Sequence, residues 1–318
     1  MYTLILNKSE LGAGTRGSAL GVDAIRYASL ENDKDFFQNA FELNDFNDCL
    51  WENFDQDDYP NAHFINELTR FYAMNTKRVS QLINTISPSI FLSGDHSSTA
   101  LYLGALKSLA PESKIGVVWI DAHSDLHSPY TSPSGNMHGM TLANSLGLDN
   151  LENKRNDVNS RTKKYWNELK NISGFSPIIL PQDLVFIGLR DIEKEESAII
   201  NHNNIKSYYS EDIINKDLKI IGQDVLKYLI ACDKIFISFD VDSMDPEEVS
   251  KGTGTPVAGG LNFNQTMDLI DVLTQDKRVN AFEITEVNPL LDKKNKMAKA
   301  GFKILQKVAQ NFSNHQDK

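Results

Sequence analysis

The sequence is short of cysteine. Only two occur in 318 residues, Cys49 and Cys232, and neither belongs to a Cys-x-x-Cys pair. This argues against a disulfide framework or a thiolate zinc site, and for reduced thiols in a cytoplasmic protein. No apolar run is long enough to cross a bilayer. The first residues, Met1-Tyr2-Thr3-Leu4-Ile5-Leu6-Asn7-Lys8, lack the basic start and long apolar stretch of a signal peptide. Positive charge is also in deficit. Lys and Arg number 32 against 43 Asp and Glu, a net charge of −11. That balance disfavours nucleic acid and anionic membranes as partners and favours cationic small molecules through steering. Repeats, low-complexity tracts and linkers are absent, so one domain over residues 1–318 is expected.

What is present is a rhythm of short apolar runs and helical spacing. Strands are expected at 2–6, 89–92, 115–120, 184–189, 205–209, 235–239 and 279–284. Helices are expected at 22–29, 64–86, 97–109, 140–146, 191–202, 211–231, 263–273 and 296–312. Residues 31–60 read as peripheral. Residues 150–182 break the rhythm and read as an insertion, helical around Tyr165 to Leu169. The alternation predicts an α/β fold in three layers, α/β/α, around a mostly parallel central sheet.

Three strands end in metal-ligand residue types. The 115–120 strand runs into Asp121-Ala122-His123-Ser124-Asp125, the 235–239 strand into Asp240-Val241-Asp242, and the 89–92 strand into Ser93-Gly94-Asp95-His96. Strand alternation would point Asp121, His123 and Asp125 the same way. Carboxyl ends of parallel strands are where open α/β sheets bind ligands. His96, His123, Asp121, Asp125, Asp240 and Asp242 form a nitrogen and oxygen set suited to Mn²⁺, Co²⁺, Ni²⁺ or Zn²⁺. Four carboxylates exceed what one divalent ion balances. Two ions sharing carboxylates would hold a bridging hydroxide, which points to hydrolysis.

These motifs together resemble the arginases of the ureohydrolase superfamily, over nearly the whole chain. The resemblance begins at Leu11-Gly12-Ala13-Gly14-Thr15-Arg16-Gly17 and takes in the three strand ends. It continues through Ser134-Gly135-Asn136-Met137-His138-Gly139, Gly252-Thr253-Gly254-Thr255-Pro256 and Glu286-Val287-Asn288-Pro289. It implies a hydrolase acting on linear amidines, converting L-arginine to L-ornithine and urea. The implied cofactor is a pair of divalent ions, Mn²⁺ first, with Co²⁺ or Ni²⁺ as alternatives. His96, Asp121, Asp125 and Asp240 would hold one ion. Asp121, His123, Asp240 and Asp242 would hold the other. Asp125 would also orient the nucleophile, Glu286 would bind the guanidinium and His138 would carry the proton to the leaving amine. Thr255 would contact the guanidinium end, Ser132 and Ser134 the α-carboxylate loop, and Glu193 the α-amino group.

Two departures fall at the amino-acid end. His127, expected to meet the substrate α-carboxylate, stands where most arginases have Asn, and Glu193 where they usually have Asp, followed by Lys194-Glu195 in place of Pro-Gly. Some bacterial arginases share the His and a longer segment like 150–182, so the chain resembles that branch. Two alternatives stay open at this point: another ureohydrolase acting on agmatine, a guanidino acid or formiminoglutamate, and a non-catalytic metal-binding scaffold. A homo-oligomer is compatible with all of them.

Overall fold

The central strands of one eight-stranded sheet form because their residues are apolar on both sides. In the strand Ser89–Ser93, Phe91 faces one way and Ile90 and Leu92 the other, and all three are buried. Such double-sided burial marks a parallel sheet covered on both faces. The computed structural model describes residues 2–52 and 58–315. Its strands are β1 (Thr3–Asn7), β2 (Phe41–Glu42), β3 (Ser89–Ser93), β4 (Ile115–Ile120), β5 (Leu184–Leu189), β6 (Lys206–Tyr209), β7 (Lys234–Asp240) and β8 (Val279–Thr285). They lie in the order β2-β1-β3-β8-β7-β4-β5-β6. Every neighbouring pair is parallel.

The helices are α1 (Gly21–Ser29), α2 (Asp48–Glu52), α3 (Ile65–Leu82), α4 (Thr99–Leu109), α5 (Thr141–Leu146), α6 (Ser160–Asn171), α7 (Lys194–His202), α8 (Ser210–Ile213), α9 (Leu218–Tyr228), α10 (Phe263–Gln275) and α11 (Lys296–Asn314). Helices α3 to α7 pack with Phe91, Trp119 and Phe236 on one face. Helices α1 and α8 to α11 pack with Ile90, Val118 and Ile237 on the other. The three-layer expectation is met. The chain leaves β3 toward the first face through α4, and leaves β8, its neighbour, toward the second through α11. β4 and β7 diverge likewise, through α5 and α10. Divergent connections open a crevice at the carboxyl ends of these four central strands.

Several boundaries differ from the sequence reading. The expected helix at 211–231 is α8, α9 and a 3₁₀ turn. Asp217 restarts the chain by accepting a bond from Lys219 N at 2.9 Å, an N-cap hidden in a polar run. The 191–202 helix begins only at Lys194. The stretch read as peripheral contributes the edge strand β2 and α2, while 53–57 lie outside the described residues.

The 150–182 segment is more built-in than an excursion. Its helix α6 is longer than expected and lies against α3. Trp166 is buried, and its indole N–H donates to Asp149 at 2.7 Å, where the Lys170 ammonium also lands. Asn156 Nδ2 donates to the Pro129 and Ser132 carbonyls at 3.1 and 2.7 Å, fastening the 128–136 loop from behind. Trp166→Ala is expected to destabilise the protein by about 3–5 kcal/mol, as large core truncations do. Guanidinium denaturation checks this, and an unchanged midpoint would make the segment a passive surface insertion.

Candidate active site

At the crevice floor β3 delivers His96. Its Nδ1 lies 3.1 Å from Asp121 Oδ2, 3.2 Å from Asp125 Oδ2 and 3.2 Å from Asp240 Oδ2. None of the three oxygens is angled as a hydrogen-bond partner, so this buried nitrogen has none. Alongside, His123 Nδ1 lies 3.0 Å from Asp242 Oδ2 and 3.4 Å from Asp121 Oδ1. Donor atoms of His96, Asp121 and Asp240 fall within 4.8 Å of one another, and so do those of Asp121, His123 and Asp242. Ligands about 2.0–2.2 Å from an ion stand that far apart across it. The two groups share Asp121, while Asp240 falls in the His96 group alone.

The expected strand alternation is not what aims these side chains. β4 stops at Ile120, and Asp125 sits at φ +49°, in the left-handed region. That turn swings its carboxylate toward His96. Glu286, at φ +66°, is bent the same way at the end of β8. Such strain costs roughly 1–3 kcal/mol per residue and gathers at functional sites.

Electrostatics asks for cations here. Burial, then the charges of Asp242 and Asp121, push Asp240 well above the usual carboxylate range. Burial also works against ionised Asp121, yet the imidazoles of His123 and His96 override it and hold it low. Four aspartates cannot all ionise in this space without added positive charge. With an unpartnered Nδ1 and oxygen-rich clusters, the residues fit divalent ions.

His127, Ser132, Ser134, His138, Glu193 and Thr255 line a cleft of ≈ 270 Å³ above the cluster, with Glu286 buried behind His138. Thr255 Oγ1 donates to Asp242 Oδ2 at 2.8 Å. Glu286 Oε1 accepts from His96 N at 2.9 Å and pairs with His138 Nδ1 at 3.0 Å. Ser132 is buried and its Oγ accepts from Gly135 N, whereas Ser134 is exposed at the rim. His127 commits both ring nitrogens to the protein. Nδ1 pairs with Thr131 Oγ1 at 3.1 Å, and Nε2 lies 2.9 Å from Glu193 Oε2 and 3.5 Å from Glu196 Oε2.

The matches to known proteins agree with this geometry. A family model described as "Arginase family" matches residues 6–310. The arginase of Bacillus subtilis is 32% identical over 304 residues, covering 94% of each chain. That of Staphylococcus aureus (strain MRSA252) is 33% identical, covering 91% of this chain and 90% of its own. The crystal structure of arginase from Bacillus caldovelox superposes with a TM-score of 0.80 at 27% identity, covering 96% of this chain and 97% of its own.

The chain belongs to the arginase family. Several of its site contacts had no motif to announce them. Trp119 stacks on the His96 ring at 4.0 Å and donates its indole N–H to Asp121 at 3.0 Å. Arg190 donates to the carbonyls of Asp242 at 2.5 Å and Val257 at 2.9 Å, tying the loop after β7 to the Thr255 loop. Glu196, nearly fully buried, accepts from Ser124 Oγ, Leu126 N and Glu193 N. His63 meets the Ser134 carbonyl at 2.9 Å. Each lies far in sequence from its partner, or looks like ordinary core or surface.

Burial would depress the His138 imidazole, but Glu286, then Asp125 and Asp95, override it and raise its pKa to about 9. The pair's contribution is therefore complete below the free imidazole pKa of about 6.5 and fades as pH rises through about 9. Removing the Glu286 charge must lower the His138 value. In metal-free protein, Glu286→Gln is expected to bring the His138 midpoint down toward about 6.5. Imidazole proton shifts followed by NMR against pH measure this, and an unmoved midpoint would deny that the pair is electrostatically coupled.

Proposed function

We propose that the protein hydrolyses L-arginine to L-ornithine and urea, with two divalent ions, Mn²⁺ foremost, held by His96, Asp121, Asp125, His123, Asp240 and Asp242. The observation that carries this reading is Glu286, a buried carboxylate backed by His138, at the edge of the ligand cluster. A carboxylate suits the planar fork of a guanidinium. Bound divalent ions supply Lewis acidity and lower the pKa of water.

The protein's own groups then have distinct tasks. Glu286 Oε1 is taken by His138 and His96 N, so Oε2 receives the guanidinium. Asp125 Oδ2 faces His96, so Oδ1 accepts a hydrogen from the attacking water. Water adds to the guanidinium carbon and gives up a proton to Asp125. The bond to the ε-nitrogen (the δ-nitrogen of L-ornithine) breaks, His138 gives that nitrogen a proton from Nε2, and the proton taken from the water restores His138. Thr255 fixes the Asp242 carboxylate. At the outer end Glu193, steadied by His127, receives the α-ammonium, and the 132–136 loop meets the α-carboxylate. His127 thus acts on Glu193 rather than on the carboxylate. Free Cys49 and Cys232 support placing the protein in the reducing cytoplasm.

Urea release with L-arginine and with agmatine tests the reading. Agmatine lacks the carboxylate, and a lost charged hydrogen bond is worth about 1.5–3 kcal/mol. Its kcat/KM is expected to be about 10²-fold lower, and equal rates would move the protein to another ureohydrolase activity. His138→Ala is expected to lose about 10²–10⁴ in kcat while keeping its metal, as read by atomic absorption. Glu193→Gln is expected to raise KM for L-arginine with kcat held, the mark of uniform binding lost. A fall in kcat alone would remove Glu193 from the substrate contacts.

A further inference from the structure

Behind His96 lies a buried carboxylate absent from the candidate ligands. Glu283 sits in β8 with no exposure, opposite Ser238 of β7. Three hydroxyls converge on it: Ser93 Oγ at 2.7 Å on Oε1, and Ser238 Oγ at 2.9 Å and Thr99 Oγ1 at 2.5 Å on Oε2. An ionised carboxylate only accepts, and each hydroxyl has a single proton to give. The proton order follows. Ser238 gives its proton to Glu283, so it accepts from His96 Nε2, 2.7 Å away. From the other side Asn7 Nδ2 donates to the Tyr102 hydroxyl at 2.8 Å. Tyr102 then donates to Ser93 Oγ at 2.9 Å, and Ser93 to Glu283. Both chains run toward one carboxylate. His96 is left with its proton on Nε2 and its lone pair on Nδ1, facing Asp121, Asp125 and Asp240.

We propose that Glu283 is a positioning residue which, through Ser238, fixes the tautomer and ring angle of His96 for the ion that His96 would hold. The proposal rests on the two-ion reading above. It also predicts asymmetry. His123 has no such relay: its Nε2 faces the exposed Asp191 at 3.6 Å. Partners of this kind orient ligating histidines and raise their basicity.

Mn²⁺ titration of chelator-stripped protein, read by the EPR signal of free Mn²⁺, tests it. Glutamine keeps the shape of Glu283 but turns one acceptor into a donor, so one chain loses its terminus. Glu283→Gln and Ser238→Ala are each expected to weaken one of the two ions about 10–100-fold, leaving the other within about 3-fold. Because Glu283 acts through Ser238, the double variant should bind no more weakly than Ser238→Ala alone. Equal weakening of both ions, or additive losses in the double variant, would overturn the proposal. Should Glu283→Gln fail to fold, unchanged binding by Ser238→Ala does so by itself. Fewer than two ions on the wild type would overturn the two-ion reading and the proposal with it. Two ions on the wild type, held with unchanged affinity by both variants, would overturn the proposal alone.

Discussion

Mutual repulsion of buried carboxylates is the constraint to which this molecule answers. Asp121, Asp125, Asp240 and Asp242 meet at the ends of two neighbouring strands, with Glu286 beside them. Two like charges 4 Å apart repel by about 4 kcal/mol at an effective dielectric of 20. The fold opposes this with donors fixed before any ion arrives. Asp95, Asp121 and Asp240 each accept from the backbone N–H two residues on, at 2.9, 2.8 and 2.8 Å. One local device, an aspartate turning back on its own backbone, thus ends three parallel strands. Trp119 and Thr255 add side-chain donors to Asp121 and Asp242. Apolar layers on both sides of the sheet hold the strand ends together against the repulsion that remains.

That device explains what the sequence disclosed. The spacing of two in Asp121-Ala122-His123 and Asp240-Val241-Asp242 reads as strand alternation. Its cause is the turn, whose first residue must be an acceptor and whose third carries the next side chain into the crevice. The candidate ligand types and their sheet edge were legible because a strand followed by such residues has few other uses. Strand positions were legible for a related reason: doubly buried parallel strands are continuous apolar runs. The support around the candidate ligands was not legible. Trp119 looks like core, and Ser238 and Glu283 look like polar accidents in β7 and β8. Their meaning depends on register across strands far apart in the chain, where Ser238 lies opposite Glu283. The N-cap Asp217, which divides the expected 211–231 helix, was hidden because its neighbours are polar too.

The two departures from the family pattern at the outer end are one change rather than two. His127 is pinned at Nδ1 by Thr131, so its Nε2 needs a partner on the opposite wall. Glu193, at the start of α7, has the reach to supply one at 2.9 Å. Hydrogen bonding to His127 is the main cause that lowers the Glu193 pKa to about 2, so Glu193 stays charged while facing the cleft. Glu196 closes the arrangement from beneath. Burial raises its pKa to about 7, and its carboxylate accepts from the Ser124 hydroxyl and from Leu126 N, on either side of Asp125, as well as from Glu193 N. An imidazole inserted alone would leave its buried Nε2 with only the more distant Glu196 Oε2, at 3.5 Å. A longer acid inserted alone would extend into the cleft without an anchor. Together they keep one exposed carboxylate at a fixed place, and through Glu196 they tie that place to the turn that carries Asp125.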